Sequence, residues 1–432
     1  RTGPIGGRPI GGYLASVALV FGAALLVPAL LQRAARHGRP FWYRLFGVGG
    51  WLAHASLGGA IGRVAVSVAA LAVSLAMMVA ITVMVASFRQ TVIDWVGQSL
   101  QADLYVSAAT RRSGARASSL SPAVEDAVRS HPDVVAVDPF HSMTVPYGDS
   151  LIFIGAGDFA VRARFGGLRF TSGQDASAVL NRARSGGDVV IVSEPLANRY
   201  GKRTGETIEL PMPDGPVSFT IAGVYFDYSS DRGVALMDTA TLTRHHGQRR
   251  PTGLTVYLRD GHRAAAVRAQ LLDTLGDTAG VFIHTNGSLR AEVLRIFDNT
   301  FAITYALDAV AIIVALLGVV GTLMTLVIER TRDIGILRAV GASRRQVRAM
   351  VVAEAAILGV LSQAAGLVIG LLLSLILVYV VNLQSFGWTI HLSIPWLSLL
   401  QMSALVVVVT VLAGLYPATR AMAGAGALLE DE

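Results

Sequence analysis

Five stretches of the chain run almost without a polar residue for about 20 positions, the length at which a helix crosses the apolar core of a bilayer. They lie at roughly 13–31, 62–88, 300–328, 356–381 and 396–418. Between the second and third the pattern changes. Short β-branched runs appear at 103–108, 133–138, 151–155, 188–193, 206–210, 217–226, 234–238 and 253–258, interrupted by helical periodicity at 121–130 and 262–275. Runs of that length and composition are strands, and their mixture with helices predicts one α+β domain. Strand, helix, strand occurs at 103–138 and again at 253–284, which predicts two βαβ-like halves of one subdomain. A mostly β insertion then fills about 150 to 245, and the glycine- and arginine-rich stretches 110–118 and 182–187 are loops.

Both junctions between the apolar stretches and this domain keep a helical pattern. Val92, Val96 and Leu100 hold one apolar face past Arg89, and Leu289, Val293 and Ile296 lead into the third stretch. A continuous helix over 289–328 would be on the order of 60 Å long at 1.5 Å per residue, about twice the hydrocarbon thickness. Two stiff stalks are therefore expected to join membrane and domain. The segment 32–60 mixes aromatic, glycine and arginine residues, which suits an elbow helix in the headgroup layer. Glycines spaced as G-x-x-x-G, which permit close helix approach, stand at Gly58–Gly62 and Gly366–Gly370.

The stretch from Glu329 to Glu354 separates the third and fourth spans and is patterned as a folded hairpin. Ile334, Leu337 and Val340 form a short apolar stripe, with Arg332 and Arg338 off it. Gly341 is placed to end that helix in the left-handed conformation. Ser343 and Gln346 have the spacing of a capping box that starts the next one. The pieces are then a span within 1–31, a linker with an elbow at 32–60, a span at 61–88 and the domain with its stalks at 89–299. A span at 300–328, the hairpin at 329–350, and two spans with a short tail at 351–432 complete the chain.

Composition sharpens this reading. Of 432 residues, 53% are hydrophobic and 15% charged, against about 25% charged in soluble domains. The net charge of +7 is concentrated beside the spans: Arg33, Arg36, Arg39, Arg44 and Arg63 have no acid among them, and 329–350 sets six arginines against Glu329 and Asp333. Cytoplasmic loops carry such an excess, so basicity here argues for topology and not for nucleic acid. With both loops inside, residues 1–12 and the hairpin 382–395, which lacks Lys and Arg, fall outside. A chain that starts outside at Arg1 is expected to be preceded by at least one further span. The chain has no cysteine, which excludes disulfides and thiol chemistry.

Catalytic patterns are missing from the sequence. Lys202 is the only lysine and does not stand in G-x-x-x-x-G-K-[ST], and neither H-E-x-x-H nor G-x-S-x-G occurs. The adjacent His245 and His246 fall in a polar stretch and are expected to be solvated. Asp308, inside the third span, is an intramembrane charge that could act functionally, snorkel to the outer interface or pair with Thr304. Glu354, where the fourth span begins, could hold a hairpin arginine or be an interfacial charge.

The hairpin ERTRDIGILRAVGASRRQVRAMVVAEAAIL resembles the signature of FtsX/MacB-type ABC transporter permeases, the type VII or mechanotransmission class. Glu329, Arg330, Arg332, Ile334, Gly335, Leu337, Arg338, Gly341, Ala342, Ser343 and Glu354 match, and Asp333 stands where that family usually has Glu. The ending GLYPATRAMAGAGALLEDE is similar through Pro417, Ala418, Ala427, Leu428 and Glu430, without the tail's usual proline and arginine. VVIVSEPLANRYGKRTGETIEL followed by FTIAGVYFD resembles the family's periplasmic domain. The resemblance implies an α-helical membrane protein with about five transmembrane helices and one α+β extracytoplasmic domain, a porter-like subdomain with an inserted β-rich subdomain. It also implies a multi-pass protein of the bacterial cytoplasmic membrane, the C-terminal half of a longer two-half permease. Such a subunit binds no cofactor itself, ATP and Mg being held by a dimeric partner ATPase. The ATPase would dock on the hairpin, with Val340 in its apolar knob and Arg344 and Arg345 in a charged rim. Its other expected partners are a second permease half, membrane lipid and an extracytoplasmic protein. The cargo would be a lipid, lipoprotein or hydrophobic compound; the alternative is a transducer that regulates a cell-wall hydrolase or senses antimicrobial peptides.

Overall fold

The computed structural model describes residues 10–37, 61–108, 119–276, 280–329 and 340–413, and singly 40, 43, 44, 47, 50 and 336. The elbow at 32–60, the loop at 110–118, Gly58 and the tail after 413 therefore lie wholly or largely outside the described residues. The chain divides into two compact units, a sheet unit of Arg89–Asn299 with Ser385–Thr389, and a helical unit made of the rest.

In the sheet unit nine strands form one sheet: β1 (Leu104–Ala108), β2 (Val134–Tyr147), β3 (Ser150–Gly157), β4 (Val189–Ser193), β5 (Thr207–Met212), β6 (Gly215–Tyr225), β7 (Val234–Asp238), β8 (Gly253–Leu258) and β9 (Val281–Thr285). Their order is β5-β6-β4-β7-β3-β2-β8-β1-β9. The four strands at one end realise the two expected βαβ halves. β1 and β2 both run antiparallel to β8, and β9 runs antiparallel to β1, the split-βαβ arrangement. Helices Pro122–Arg129 and Ala264–Leu275 close one face with Val124, Val128, Val267 and Leu271 buried.

The 14-residue strand β2 joins the two ends of the sheet. Its first half pairs with β8 and its second half, from His141 to Tyr147, with β3. The insertion is richer in helix than its β-branched runs predict. It also holds Phe159–Phe165, Ala176–Ser185, Glu194–Tyr200 and Thr239–His246. None exceeds about three turns, too short for periodicity to stand out. Residues 182–185, expected in a loop, end the second of these. Asp175 caps it by accepting from the Ala178 amide at 2.9 Å, and Val179, Leu180 and Ala183 are buried on its inner face. β4 is buried at all five positions because it lies between β6 and β7 with side chains packed on both faces.

Among the described residues, three helices are long and apolar enough to cross a membrane, Ile10–Arg33, Val68–Ser99 and Arg344–Phe386. The expected third stretch lies inside a helix of 44 residues, Asn286–Glu329, and the fifth is a helix of 18, Trp396–Ala413. The apolar core of the helical unit brings Val27 and Leu31 of the first helix against Leu71, Leu75 and Met78 of the second and Val351 and Leu358 of the fourth. Outward-facing Leu14, Phe21 and Leu25 of the first helix are 64%, 68% and 80% exposed, an apolar face suited to lipid. The Gly366–Gly370 pair does what its spacing suggests. A Cβ on Gly366 would lie 2.7 Å from Leu75 Cβ and one on Gly370 2.6 Å from Val79 Cβ, so the two backbones nearly touch.

Candidate functional site

The hairpin begins where the Asn286–Glu329 helix ends. Arg330, Arg332, Asp333, Ile334, Gly335, Leu337 and Arg338 lie outside the described residues, as do the side chains of Glu329 and Asp308. Ile336 and residues 340–354 are described. The Val340 amide donates to the Ile336 carbonyl at 3.0 Å, closing one helical turn. Gly341 follows with φ +106°, a region that side chains avoid. The Ser343 hydroxyl then accepts from the Gln346 amide at 3.2 Å while the Ser343 amide donates to Gln346 Oε1 at 2.8 Å, the capping box expected from the spacing.

The cap decides which way the next helix faces. Val347, Met350 and Val351 turn into the core with Ala342 against them, while Arg344, Arg345 and Arg348 are exposed. Ile336 and Val340, one turn apart, stand 55% and 84% exposed. Two apolar side chains and a cluster of guanidinium groups therefore lie close together in sequence, with no nucleophile or base among them. An apolar contact with a charged rim is also the composition of protein–protein interfaces. Ile336 was not part of the stripe read from the sequence; its i, i+4 spacing to Val340 is the signal that finds it. Glu354, further along the helix that starts at Arg344, is buried at 4% exposure.

A second set of polar contacts belongs to the sheet unit. Glu194, at 7% exposure, accepts from the Thr389 amide at 3.0 Å and from its hydroxyl at 2.6 Å. Tyr228 donates its hydroxyl to the Thr389 carbonyl at 2.7 Å, and Asn198 Nδ2 donates to the Gly387 carbonyl at 2.6 Å. Burial, reinforced by the Glu194 carboxylate, pushes the Tyr228 hydroxyl well above its ordinary pKa, so it remains a donor. Gly387 has φ +75° and its Cα faces Pro195, where a Cβ would meet backbone at 3.2 Å. Three side chains thus hold a segment that follows the fourth apolar helix. Glu194→Ala strands the Thr389 donors and is expected to cost about 1–3 kcal/mol locally, read as faster amide exchange at residues 387–389.

His245 is partnered, contrary to the expectation that it is solvated: its Nε2 lies 2.7 Å from Asp188 Oδ1, and its ring meets Phe219 edge-on. Arg244 reaches the same carboxylate at 2.9 Å, and the hydrogen bond from His245 holds the Asp188 carboxyl below its usual range. Among the described residues no cluster of His, Asp and Glu is arranged to hold a metal ion.

An apolar helical unit with a capped basic hairpin, and a sheet unit of two βαβ halves with an insertion, define a membrane permease that carries an accessory domain. Residues 64–274 match the MacB-like periplasmic core domain and residues 306–424 the FtsX-like permease C-terminal domain. The chain belongs to the FtsX/MacB-type ABC transporter permeases. An uncharacterized ABC transporter permease protein of Mycobacterium tuberculosis is 30% identical over 421 residues, covering 94% of this chain and 48% of that protein. The macrolide export ATP-binding/permease protein MacB of Bordetella avium is 29% identical over 235 residues, 51% of this chain and 34% of that protein. The chain thus spans half or less of the length of these relatives. The extracellular domain of the transporter YknZ from Gram-positive bacteria aligns with 43% of this chain and 99% of its own, at 15% identity and a TM-score of 0.30.

Proposed function

We propose that this permease converts ATP hydrolysis, performed outside these 432 residues by a partner ATPase dimer, into movement of its sheet unit. Its cargo in this reading is a hydrophobic compound, lipid or lipoprotein at the outer face of the bacterial cytoplasmic membrane, which the chain crosses five times. The observation that carries it is the hairpin: a capped helix start that turns Arg344, Arg345 and Arg348 outward beside exposed Ile336 and Val340, in a sequence with no P-loop. A chain that hydrolyses nothing itself but presents such a knob needs a partner that fills it. Two long helices, Ile61–Ser99 and Asn286–Glu329, run unbroken past residues 88 and 299, where the two units divide. At 1.5 Å rise per residue such helices transmit displacement as stiff rods. The printed names of relatives point the same way: macrolide and pyoverdine export are theirs, and an amphiphilic cargo is our extension to this chain.

The test is recovery of an ATPase from detergent extracts of native membranes. The wild-type chain is expected to bring down a polypeptide with a P-loop, and Leu337→Asp to lose it by about tenfold or more, since an interface charge without a partner costs on the order of 2 kcal/mol. Size-exclusion behaviour should not change. Equal recovery by the two chains would argue against the hairpin as the docking element.

A further inference from the structure

A cavity of about 400 Å³ opens within the sheet unit. Its floor is one face of three adjacent strands. Ser142 of β2, Gly155 of β3 and Leu236 of β7 lie in register, with Phe153 opposite Val234 two residues along. Gly155 keeps that floor low: a Cβ there would lie 3.0 Å from Leu236 Cδ1 and 3.2 Å from Phe140 Cε2. Trp95 and Phe226 contribute aromatic walls. Alternation explains why the face is free for this. Ile152, Ile154 and Ala156 of β3 turn to the opposite side and fill a core there, leaving the intervening residues to line the cavity.

One end of the cavity is polar and built from buried groups. The Arg162 side chain is only 15% exposed. Its Nε donates to Asp138 Oδ2 at 2.6 Å and its Cζ lies 5.4 Å from the Phe140 ring centroid. Among the described residues this guanidinium donates through Nε, which leaves N–H groups on its terminal nitrogens for another acceptor. Nη2 lies against Gly157, and the side chain as a whole lines the cavity. Asp227, 7% exposed, accepts from the Ser229 amide at 2.9 Å and from the Tyr225 hydroxyl at 3.2 Å. Its carboxylate retains lone pairs for another donor. One guanidinium faces two carboxylates here, which disfavours an anionic guest. Arg162 offsets Asp138, and the Asp227 carboxylate is already held by two neutral donors, so one further N–H or O–H completes its hydrogen bonding. A cation such as octylammonium is the competitor to that neutral donor.

We propose that this cavity is a binding site for an uncharged amphiphile with a short apolar chain or ring and an amide or hydroxy-ester head. The apolar part lies on Phe153, Leu236 and Trp95. The head gives a carbonyl oxygen to the Arg162 terminal nitrogens and an N–H or O–H to Asp227. The permease reading enters only in calling the ligand cargo.

The test uses the full chain in lipid nanodiscs without nucleotide or ATPase, titrated with N-octanoylglycinamide, its carboxylate analogue N-octanoylglycine, and octylammonium. Tryptophan fluorescence reports binding, and Trp95→Phe assigns the signal among the five tryptophans of the chain. A saturable signal with the neutral amide is expected. It should weaken about tenfold in Ser142→Phe, which fills the cavity, and in Arg162→Lys, which keeps a charge for Asp138 but removes the planar donors. The charged analogues should bind about tenfold more weakly, the equivalent of about 1.4 kcal/mol. Unchanged affinity in Ser142→Phe, a signal no different from empty nanodiscs, or tighter binding of either charged analogue would overturn the assignment. If Arg162→Lys does not fold, Ser142→Phe and the analogue series decide alone. A negative result leaves the permease reading standing, because ATPase recovery tests that separately.

Discussion

Leucine in place of Gly370 is expected to remove most of the folded protein. The fourth apolar helix, within Arg344–Ile376, approaches the second, within Ile61–Ser99, so closely that a Cβ on Gly370 would lie 2.6 Å from Val79 Cβ and 2.7 Å from the Ala76 carbonyl oxygen. Neither contact is the far end of a flexible side chain, so the helices themselves would have to separate. Helix pairs in membranes gain their stability from such close packing, since lipid offers no hydrophobic drive between them. Overpacking costs about 3 kcal/mol or more where the backbone must move, against a total stability often near 10 kcal/mol. Fluorescence-detected size exclusion in detergent should show loss of the monodisperse peak for Gly370→Leu and an intermediate effect for Gly370→Ala. Gly22, whose Cβ would meet nothing within 4 Å, is the control: Gly22→Leu should behave as wild type. Equal tolerance at the two sites would mean that the helices are not held at this spacing.

That contact was visible in the sequence only as a spacing, because G-x-x-x-G says that close approach is possible and not which helix approaches. Two local features were legible from short stretches alone. The capping box of Ser343 and Gln346 needs four consecutive residues, and the long helix Asn286–Glu329 needs only unbroken apolar periodicity with no proline. Strands read from β-branched runs lie close to where expected, except that β2, expected over 133–138, runs on to Tyr147 past Pro139 and Pro146. What was not legible depends on pairing across the fold. Glu194 meets Thr389 at a separation of 195 residues, and nothing near either marks the other. Arg162 and Asp138 are 24 apart, brought together because β2 and the helix after β3 adjoin, a relation set by strand order. The four short helices of the insertion escaped for a different reason: helices of 7 to 10 residues take most of their stability from tertiary packing, and propensity leaves little trace of that.

Aspartate in place of Val340 is expected to separate binding of the ATPase from folding of the permease. Val340 is 84% exposed, so a charge there faces water in the free chain and costs almost nothing to its stability. In the complex the same carboxylate would have to be desolvated within an apolar contact without a partner. Truncating a central apolar contact typically costs 2 kcal/mol or more, which weakens binding by about 30-fold. The two effects separate cleanly. Permease yield and thermal stability should stay at wild-type values, while ATPase affinity and the permease-dependent part of ATP hydrolysis fall together. Ser343→Ala supplies the opposite pattern: it removes the cap that orients the helix and costs about 1 kcal/mol of local stability, while Ile336 and Val340 keep their exposure. A chain in which Val340→Asp destabilises the fold as much as Ser343→Ala, with affinity unchanged, would show that the exposed pair belongs to the permease's own packing. With Val340→Asp silent in the fold and severe in binding, the arginines beside it set which partner docks, and the apolar pair sets how tightly.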